Sequence, residues 1–140
     1  MLSYHADANL HTNPYELGLD RLIDLDMESD FIGKNALRSI REKGVTRIQV
    51  GLILDCDPLP SHNKDFWAVT KNNKNVGVIT SAVYSPRLKQ NIALAILDLQ
   101  CSKIGRIVHV QIEDIFVRAV VTEIPFFDPE KTISKEKIIK

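Results

Sequence analysis

The stretch 76–97, which reads VGVITSAVYSPRLKQNIALAIL, constrains the fold more than any other part of the chain. Its first half alternates small and β-branched side chains with the two-residue period of a strand. Ser85-Pro86 then interrupts the strand, because proline has no amide hydrogen to donate. Residues 92–97 follow as an apolar run, which is typical of a strand buried on both faces. The pattern predicts two core strands joined by a polar loop, with Tyr84 and Arg87 at its rim.

Six strands are predicted after Thr46, where the hydrophobic period becomes that of a strand. Their ranges are 47–54, 66–70, 76–82, 92–98, 106–112 and 115–124. Short antiparallel strands without long crossovers bury both sides only by closing on themselves or by stacking in layers. The chain is therefore predicted to be mainly β (α+β overall), a six-stranded antiparallel barrel of Greek-key or jelly-roll type preceded by a short helical segment. The residues expected in its core are Ile79, Ile92, Leu94 and Val121, with Trp67 partly covered.

Two connections between these strands are predicted to be tight turns. Residues 71–75 include asparagines, which tolerate positive φ angles. Glu113-Asp114 separates two long alternating runs and is also typical of a hairpin. Residues 57–63 contain two prolines and are expected to form a rigid surface loop instead.

The residues before the barrel, 1–44, carry helix and turn signals. Asn13-Pro14-Tyr15-Glu16 is typical of a helix start, which Gly18 should end within a turn or two. Residues 21–26 alternate as a short strand does. Residues 35–42 form the clearest predicted helix, and Gly44 supplies its stop. Its apolar face is predicted to consist of Ile32, Ala36, Leu37 and Ile40.

Composition excludes several classes of protein. The 140 residues are 44% hydrophobic and 26% charged, which is a globular balance for one ordinary domain. Because 18 basic and 18 acidic side chains cancel, neither nucleic acid nor an anionic membrane is expected as a partner. No apolar run approaches the roughly 20 residues of a membrane span, and no signal peptide is visible. Cys56 and Cys101 lie outside any paired motif, so reduced thiols in a cytoplasmic protein are expected.

No catalytic constellation is visible in the sequence. A GxSxG elbow, a P-loop, a dinucleotide-binding glycine fingerprint and an HExxH helix are all absent. His5, Asp7 and His11 lie close together but lack a recognised zinc spacing. The acidic residues within 20–30 lack the central glycine and terminal glutamate of a calcium loop. We therefore expect neither a metal site nor a catalytic residue in this chain.

Several motifs resemble one known family, in order and at compatible spacing. They are Asn13-Pro14-Tyr15-Glu16-Leu17-Gly18-Leu19, Asp30-Phe31-Ile32-Gly33-Lys34 with Ala36-Leu37, Val78-Ile79-Thr80-Ser81, Ser85-Pro86 with Leu88, and Asn91-Ile92-Ala93-Leu94-Ala95. Over residues 2–131 the chain is similar to the C-terminal portion of the folate-dependent aminomethyltransferase superfamily, which includes the glycine-cleavage T-protein. The motifs most similar to dimethylsulfoniopropionate demethylases are Tyr84-Ser85-Pro86-Arg87-Leu88 and Pro125-Phe126-Phe127-Asp128-Pro129.

The resemblance implies a division of the chain into three parts. Residues 1–44 would be the closing segment of the folate-binding part (a short strand plus the helix), 45–129 the C-terminal β-barrel domain, and 130–140 a charged tail. In that superfamily the folate, a catalytic aspartate and a glutamate that grips the pterin belong to two N-terminal domains. The implied partners are therefore these missing N-terminal folate-binding domains. The implied cofactor is tetrahydrofolate, bound in the complete protein, and this chain would be inactive alone.

The implied reaction transfers a methyl group from a sulfonium, the small-molecule methyl donor, to tetrahydrofolate. Such a reaction mainly requires alignment of the two reactants and exclusion of water. The residues implied to lie nearest the folate or substrate are Tyr4, Tyr84, Arg87 and Lys131, and the alternative for each is an ordinary rim side chain. Two other functions remain open. The chain could belong to a T-protein-type aminomethyltransferase, or it could be a stand-alone β-barrel that binds a partner protein.

The apolar side chains of residues 1–25 would pack on the missing domains. Their members are Leu2, Tyr4, Tyr15, Leu19, Leu22 and Ile23. Without those domains the segment could fold back across the barrel, or two copies could pair through it. We favour a homodimer, because residues 1–12 are too polar to form a good internal lid.

Overall fold

The computed structural model describes residues 2–128, Glu130 and Thr132. Its strands are β1 (Arg47–Leu54), β2 (Trp67–Lys71), β3 (Lys74–Ser85), β4 (Gln90–Asp98), β5 (Ile107–Ile112) and β6 (Ile115–Thr122). The described residues also form one α-helix, α1 (Lys34–Lys43), and two 3₁₀ turns, Asp20–Leu22 and Leu99–Cys101. The predicted tail, 130–140, lies outside the described residues apart from Glu130 and Thr132.

The six strands close into an antiparallel barrel in the order β1–β4–β3–β2–β5–β6. This architecture confirms the predicted mainly β fold. β2, β3 and β4 are neighbours both in sequence and in space, while β1 lies beside β4, which is a Greek-key order. Because the barrel is closed, each of the six described strands has a neighbour on both sides.

The predicted hairpin turns are confirmed. Lys71 pairs with Lys74 across Asn72 and Asn73, whose φ angles are 50° and 60°. Two positive φ angles define the type I′ turn, whose twist matches that of the flanking strands. The turn at Glu113-Asp114 likewise joins two directly paired strand ends.

All six strands contribute to the barrel interior. The large side chains buried there include Leu52, Val69, Ile79, Leu97, Val108, Val110 and Val121. Burial of Ile79 and Val121 is as predicted, and Trp67 is partly covered. The core prediction for Ile92 and Leu94 is wrong. β4 turns the alternate residues Ala93, Ala95 and Leu97 inward, and a shift of one residue exchanges the two faces of a strand.

β3 contains a β-bulge at Thr80. Ile79 pairs with Ala95 and Ser81 pairs with Leu94, so Thr80 is an extra residue without a partner on β4. Neighbouring side chains of a regular strand point to opposite faces, whereas a bulge redirects one of them. The strict alternation predicted for 76–82 therefore breaks at Thr80.

The N-terminal segment, residues 2–25, folds back across the outside of the barrel. Arg47 of β1 forms an ion pair with the buried Glu16, with Nε 2.8 Å from Oε1. The Gln49 amide donates a hydrogen bond of 2.7 Å to the Glu16 carbonyl. Leu17 and Leu25 of the same segment are buried. Of the two outcomes predicted for this segment, the structure shows the one in which it folds back across the barrel. The favoured outcome, a homodimer formed through this segment, stays a prediction.

Two local predictions for this segment have opposite outcomes. Asn13 Oδ1 accepts a hydrogen bond from the Glu16 amide, and Glu16 Oε2 accepts one from the Asn13 amide, each at 3.1 Å. This capping box closes a short turn, in agreement with the prediction that Gly18 ends the helix start within a turn or two. The predicted strand at 21–26 is wrong, because Asp24 Oδ1 accepts hydrogen bonds from the amides of Asp26 and Met27. Such side chain–backbone bonds compete with a strand ladder.

The predicted helix is present as α1 and ends at Gly44, whose φ is 75°. Ile32 is fully exposed rather than part of an apolar helix face, because the chain turns at Gly33, where φ is 94°, before the helix begins. Lys34 is buried instead, and its Nζ donates a hydrogen bond of 2.6 Å to the Met27 carbonyl. Among the residues that the structure describes, no helix is long and apolar enough to cross a membrane.

Residues 123–127, called here the C-terminal strap, leave the barrel wall and cross its outer face. β6 ends at Thr122, opposite Gly51, rather than at the predicted Ile124. A β-carbon on Gly51 would lie 2.7 Å from Phe126 Cε1 and 2.9 Å from Ile124 Cγ2. The crossing is therefore possible because Gly51 has no side chain.

Candidate functional site

The outer face of β3 and β4 carries a groove of ≈ 470 Å³ between the N-terminal segment and the C-terminal strap. Its lining includes Asp7, Asn63, Ser81, Ile92, Leu94 and Phe126. The outward-facing Ile92 and Leu94 thus form part of the apolar lining of a surface groove. This volume lies within the range of about 300–1,000 Å³ that is typical of small-molecule sites.

One end of the groove is polar and centred on Asp7, which is 2% exposed. Asp7 Oδ1 accepts hydrogen bonds from Thr80 Oγ1 at 2.5 Å and from Ser81 Oγ at 2.7 Å. Asp7 Oδ2 accepts a third hydrogen bond, from the Ser3 amide at 2.9 Å. Because a buried carboxylate without such donors is strongly unfavourable, Asp7, Thr80 and Ser81 fasten the N-terminal segment to β3. We call these three residues the hydroxyl latch.

The hydroxyl latch depends on the β-bulge in β3. In a regular strand, the adjacent Thr80 and Ser81 side chains would point to opposite faces and could not both reach one carboxylate. The sequence gives no local signal for this contact, since Asp7 and Thr80 are 73 residues apart. From the sequence alone, Asp7 is notable only because it lies close to His5 and His11. Within the described residues, no group of three or more His, Cys, Asp or Glu side chains could hold a metal ion.

Asn63, in the connection between β1 and β2, closes one side of the groove. Its Oδ1 accepts a hydrogen bond of 2.6 Å from the Ala82 amide. Its own amide donates to the Ala82 carbonyl at 3.2 Å. Asn63 thus binds the backbone of β3 through two hydrogen bonds at Ala82, immediately after the bulge. This contact places the exposed His62 at the groove.

A second cavity, of ≈ 680 Å³, lies on the other side of Phe126. It shares Leu94 and Phe126 with the first groove, and its other walls come largely from the N-terminal segment. Gln49 also lines it and donates through Nε2 to the Asp7 carbonyl at 3.4 Å. The buried Gln49 Oε1 has no hydrogen-bond partner among the described residues. Phe126 therefore stands as a wall between two cavities.

Asn91, from one of the family-like motifs, has a structural role. It is buried, and its Nδ2 donates to the carbonyl oxygens of Cys56 at 2.9 Å and Asp57 at 3.0 Å. Its Oδ1 accepts a hydrogen bond from the Leu59 amide at 2.9 Å. These bonds fasten the connection after β1 to β4. Burial raises the pKa of the Cys56 thiol, and the hydrogen bond from Asn91 partly opposes that shift.

The β3–β4 hairpin carries two of the predicted site residues. Tyr84 lies near the end of β3, is partly buried and pairs with Asn91. Arg87 lies in the exposed turn that follows, and its guanidinium carbon is 3.9 Å from the centroid of the Phe127 ring. Arg87 therefore contacts the C-terminal strap.

Residues 47–128 match the family model described as the glycine cleavage T-protein C-terminal barrel domain. The matched range includes all six strands, the β-bulge and the C-terminal strap. This chain belongs to that family. Membership confirms the T-protein superfamily that the sequence motifs indicate, whereas a special similarity to dimethylsulfoniopropionate demethylases stays a prediction.

Curated relatives of this T-protein family chain are considerably longer. An aminomethyltransferase from Synechococcus sp. (strain CC9902) is 38% identical over 124 residues, which cover 89% of this chain and 33% of the relative. The aminomethyltransferase of Bacillus subtilis (strain 168) is 35% identical over 124 residues, with the same two coverages. The chain therefore spans about a third of the length of these relatives.

A solved structure shows the same fold. The crystal structure of glycine cleavage system aminomethyltransferase T from Bartonella henselae superposes with a TM-score of 0.79 at 19% sequence identity. The similarity covers 90% of this chain and 35% of that one. It therefore extends beyond the barrel into residues that precede β1.

The T-protein barrel connects three of the four predicted site residues to β3 or its hairpin. Tyr4 is 63% exposed and lies in a tight turn with Asp7, whose amide donates to the Ser3 carbonyl. The hydroxyl latch therefore ties the turn that carries Tyr4 to the same strand that leads to Tyr84 and Arg87. Lys131, the fourth, lies outside the described residues.

Proposed function

We propose that this chain is the C-terminal barrel part of a tetrahydrofolate-dependent one-carbon transferase and has no transferase activity alone. The observation that carries the proposal is the match of residues 47–128 to the T-protein barrel family in a chain that spans about a third of its relatives. The missing partners are the N-terminal folate-binding domains. We also propose a cytoplasmic location, which the free thiols of Cys56 and Cys101 support.

The proposed division of labour follows from the contacts of the N-terminal segment. Residues 1–44 would complete the folate-binding part, 45–129 would form the barrel, and 130–140 would be a charged tail. Glu16 and Asp7 tie this segment to the barrel, while Leu22 is 67% exposed. Exposed apolar side chains of this kind favour a further protein surface as their partner. We propose that the barrel buttresses the folate channel in this way.

Tyr4, Tyr84, Arg87 and Lys131 are the residues proposed to lie nearest to the folate or the substrate. The turn that holds Tyr4 and the hairpin that holds Tyr84 are both fixed to β3, which supports a common rim. Aligned side chains that exclude water suffice for transfer from an activated donor, since the donor itself supplies the electrophile.

Two donors are compatible with this role. The motifs around Tyr84 and Phe126 support a sulfonium such as dimethylsulfoniopropionate as the small-molecule methyl donor. The aminomethyltransferases among the relatives support an aminomethyl donor equally well. The barrel joined to its natural folate-binding domains would distinguish them, because methyl transfer yields a methylated folate and aminomethyl transfer a methylene-bridged one.

A chimera tests the proposed role of the barrel. The C-terminal third of the B. subtilis relative would be replaced by this chain, with which it shares 35% identity over 124 residues. We expect tetrahydrofolate-dependent transfer by the chimera, and none by the truncated relative or by this chain alone. A chimera that folds but remains inactive would contradict the proposal. So would titration of tetrahydrofolate into the isolated chain with a dissociation constant of about 1 μM, roughly −8 kcal/mol.

A further inference from the structure

The C-terminal strap is attached to the barrel differently from the rest of the wall. β6 pairs with β1 only from Ala119 to Thr122. Beyond that point, residues 123–127 make no backbone hydrogen bond to the barrel among the described residues. Pro125 within the strap has no amide hydrogen to offer. Side chains must therefore hold the strap in place.

Ile124 lies against Gly51, and two aromatic side chains add further contacts. Phe126 lies over Gly51, with its Cζ 3.1 Å from where a β-carbon would stand. Phe127 lies beneath Arg87, whose guanidinium carbon is 3.9 Å from the ring centroid. Arg87 forms no ion pair with any described carboxylate. The ring of Phe127 is thus its evident electrostatic partner within the described part of the chain.

We propose that Arg87 is a positioning residue that clasps the C-terminal strap and thereby keeps the outer groove divided. Phe126 directly precedes the clasped Phe127 in the chain and is the wall shared by the cavities of ≈ 470 and ≈ 680 Å³. Release of Phe127 from Arg87 frees Phe126 to leave Gly51, which joins the two cavities over Leu94. When this cation–π contact is formed, the groove on β3 and β4 is divided in two; when the contact is released, the groove is continuous. This inference does not depend on folate binding.

Limited proteolysis of the folded chain tests the clasp. Chymotrypsin cleaves after aromatic residues, and cleavage of a transiently released segment follows the population of the released state. An exposed cation–π contact should change that population about two- to fivefold. We therefore expect Arg87→Ala to raise the rate of cleavage after Phe126 by roughly that factor. Lys89→Ala, which removes a cation from the same turn, is the matched control and should leave the rate unchanged.

Two further variants identify the interaction as cation–π. Arg87→Lys keeps the charge but loses the planar stacking group, so it should raise the cleavage rate less than Arg87→Ala. Phe127→Leu keeps an apolar side chain without the π face. It should accelerate cleavage after Phe126 in the wild-type background and add little to Arg87→Ala.

Cleavage after the exposed Phe116 of β6 serves as an internal reference for global opening. Equal cleavage of Arg87→Ala and wild type after Phe126 would overturn the proposal. An equal rise in Lys89→Ala, or a parallel rise after Phe116 with a lower urea midpoint, would also overturn it. If Arg87→Ala does not fold, Arg87→Lys and Phe127→Leu provide the same comparison.

Discussion

Replacement of Asp7 by alanine should loosen the N-terminal segment more than replacement of any other acidic residue in it. The change removes the acceptor for Thr80, Ser81 and the Ser3 amide at a site that is 2% exposed. Hydrogen bonds to a charged group contribute about 1.5–3 kcal/mol each. Hydration of the carboxylate in the unfolded chain offsets much of their sum, so a net loss of about 2–4 kcal/mol is expected.

Asp7→Asn should cost less, about 1–2 kcal/mol, because the hydroxyls can rotate to accept from an amide. The exposed Asp26→Ala is the matched control and should change stability by less than about 0.5 kcal/mol. Urea unfolding followed by the fluorescence of Trp67 gives the free energy of the whole barrel. Hydrogen exchange of the Gln49 amide, which donates to the Glu16 carbonyl, reports release of the segment alone.

The reasoning would be refuted if Asp7→Ala changed neither quantity. Loss of Gln49 protection with an unchanged urea midpoint would show that the hydroxyl latch fastens a locally unfolding segment rather than the barrel. Thr80→Val with Ser81→Ala should then reproduce the effect of Asp7→Ala, because the same bonds are removed from the other side.

Other predictions concern the core, the thiol and self-association. Leu97→Ala should lower the free energy of unfolding in urea by about 2–5 kcal/mol. The loss should be clearly larger than for Leu94→Ala, because Leu97 is buried in the barrel and Leu94 lies on its outer face. Equal losses would contradict this assignment. Alkylation of Cys56 should have a midpoint at higher pH in the folded chain than in the urea-unfolded chain, because burial raises the pKa of the Cys56 thiol. Any stability that depends on the neutral thiol should be lost as the pH rises through the raised pKa. A midpoint at or below that of the unfolded chain would count against this prediction. Sedimentation should show concentration-dependent dimers that Leu22→Asp abolishes, since Leu22 is 67% exposed; a monomer at every concentration, unaffected by the substitution, would exclude the homodimer.

The sequence predicts those parts of the fold whose causes are local. Positive φ at Asn72 and Asn73 follows from the chemistry of asparagine, and the capping box at Asn13 and Glu16 lies within four residues. The strand predicted at 21–26 fails for an equally local reason, since the carboxylate of Asp24 binds nearby amides. That competition cannot be read from an alternating pattern alone.

The candidate site depends on contacts between distant parts of the chain, and most of these contacts could not be predicted from the sequence. The rim positions of Tyr84 and Arg87 follow from the break at Ser85-Pro86, but the contact of Arg87 with Phe127 joins distant segments. The orientation of β4 could not be deduced from a run in which both faces are apolar. The role of Asp7 requires the bulge at Thr80, for which residues 76–82 carry no signal.

The β3–β4 ladder does not require the bulge at Thr80. On either side of Thr80 the inward positions of β3, Ile79 and Ala82, already face inward residues of β4. Deletion of Thr80 would therefore restore an uninterrupted ladder without turning any other side chain around. The closed barrel has no need of this residue for its own continuity. Thr80 is therefore an insertion in the β3–β4 ladder whose side chain is used to anchor another piece of polypeptide, the N-terminal segment.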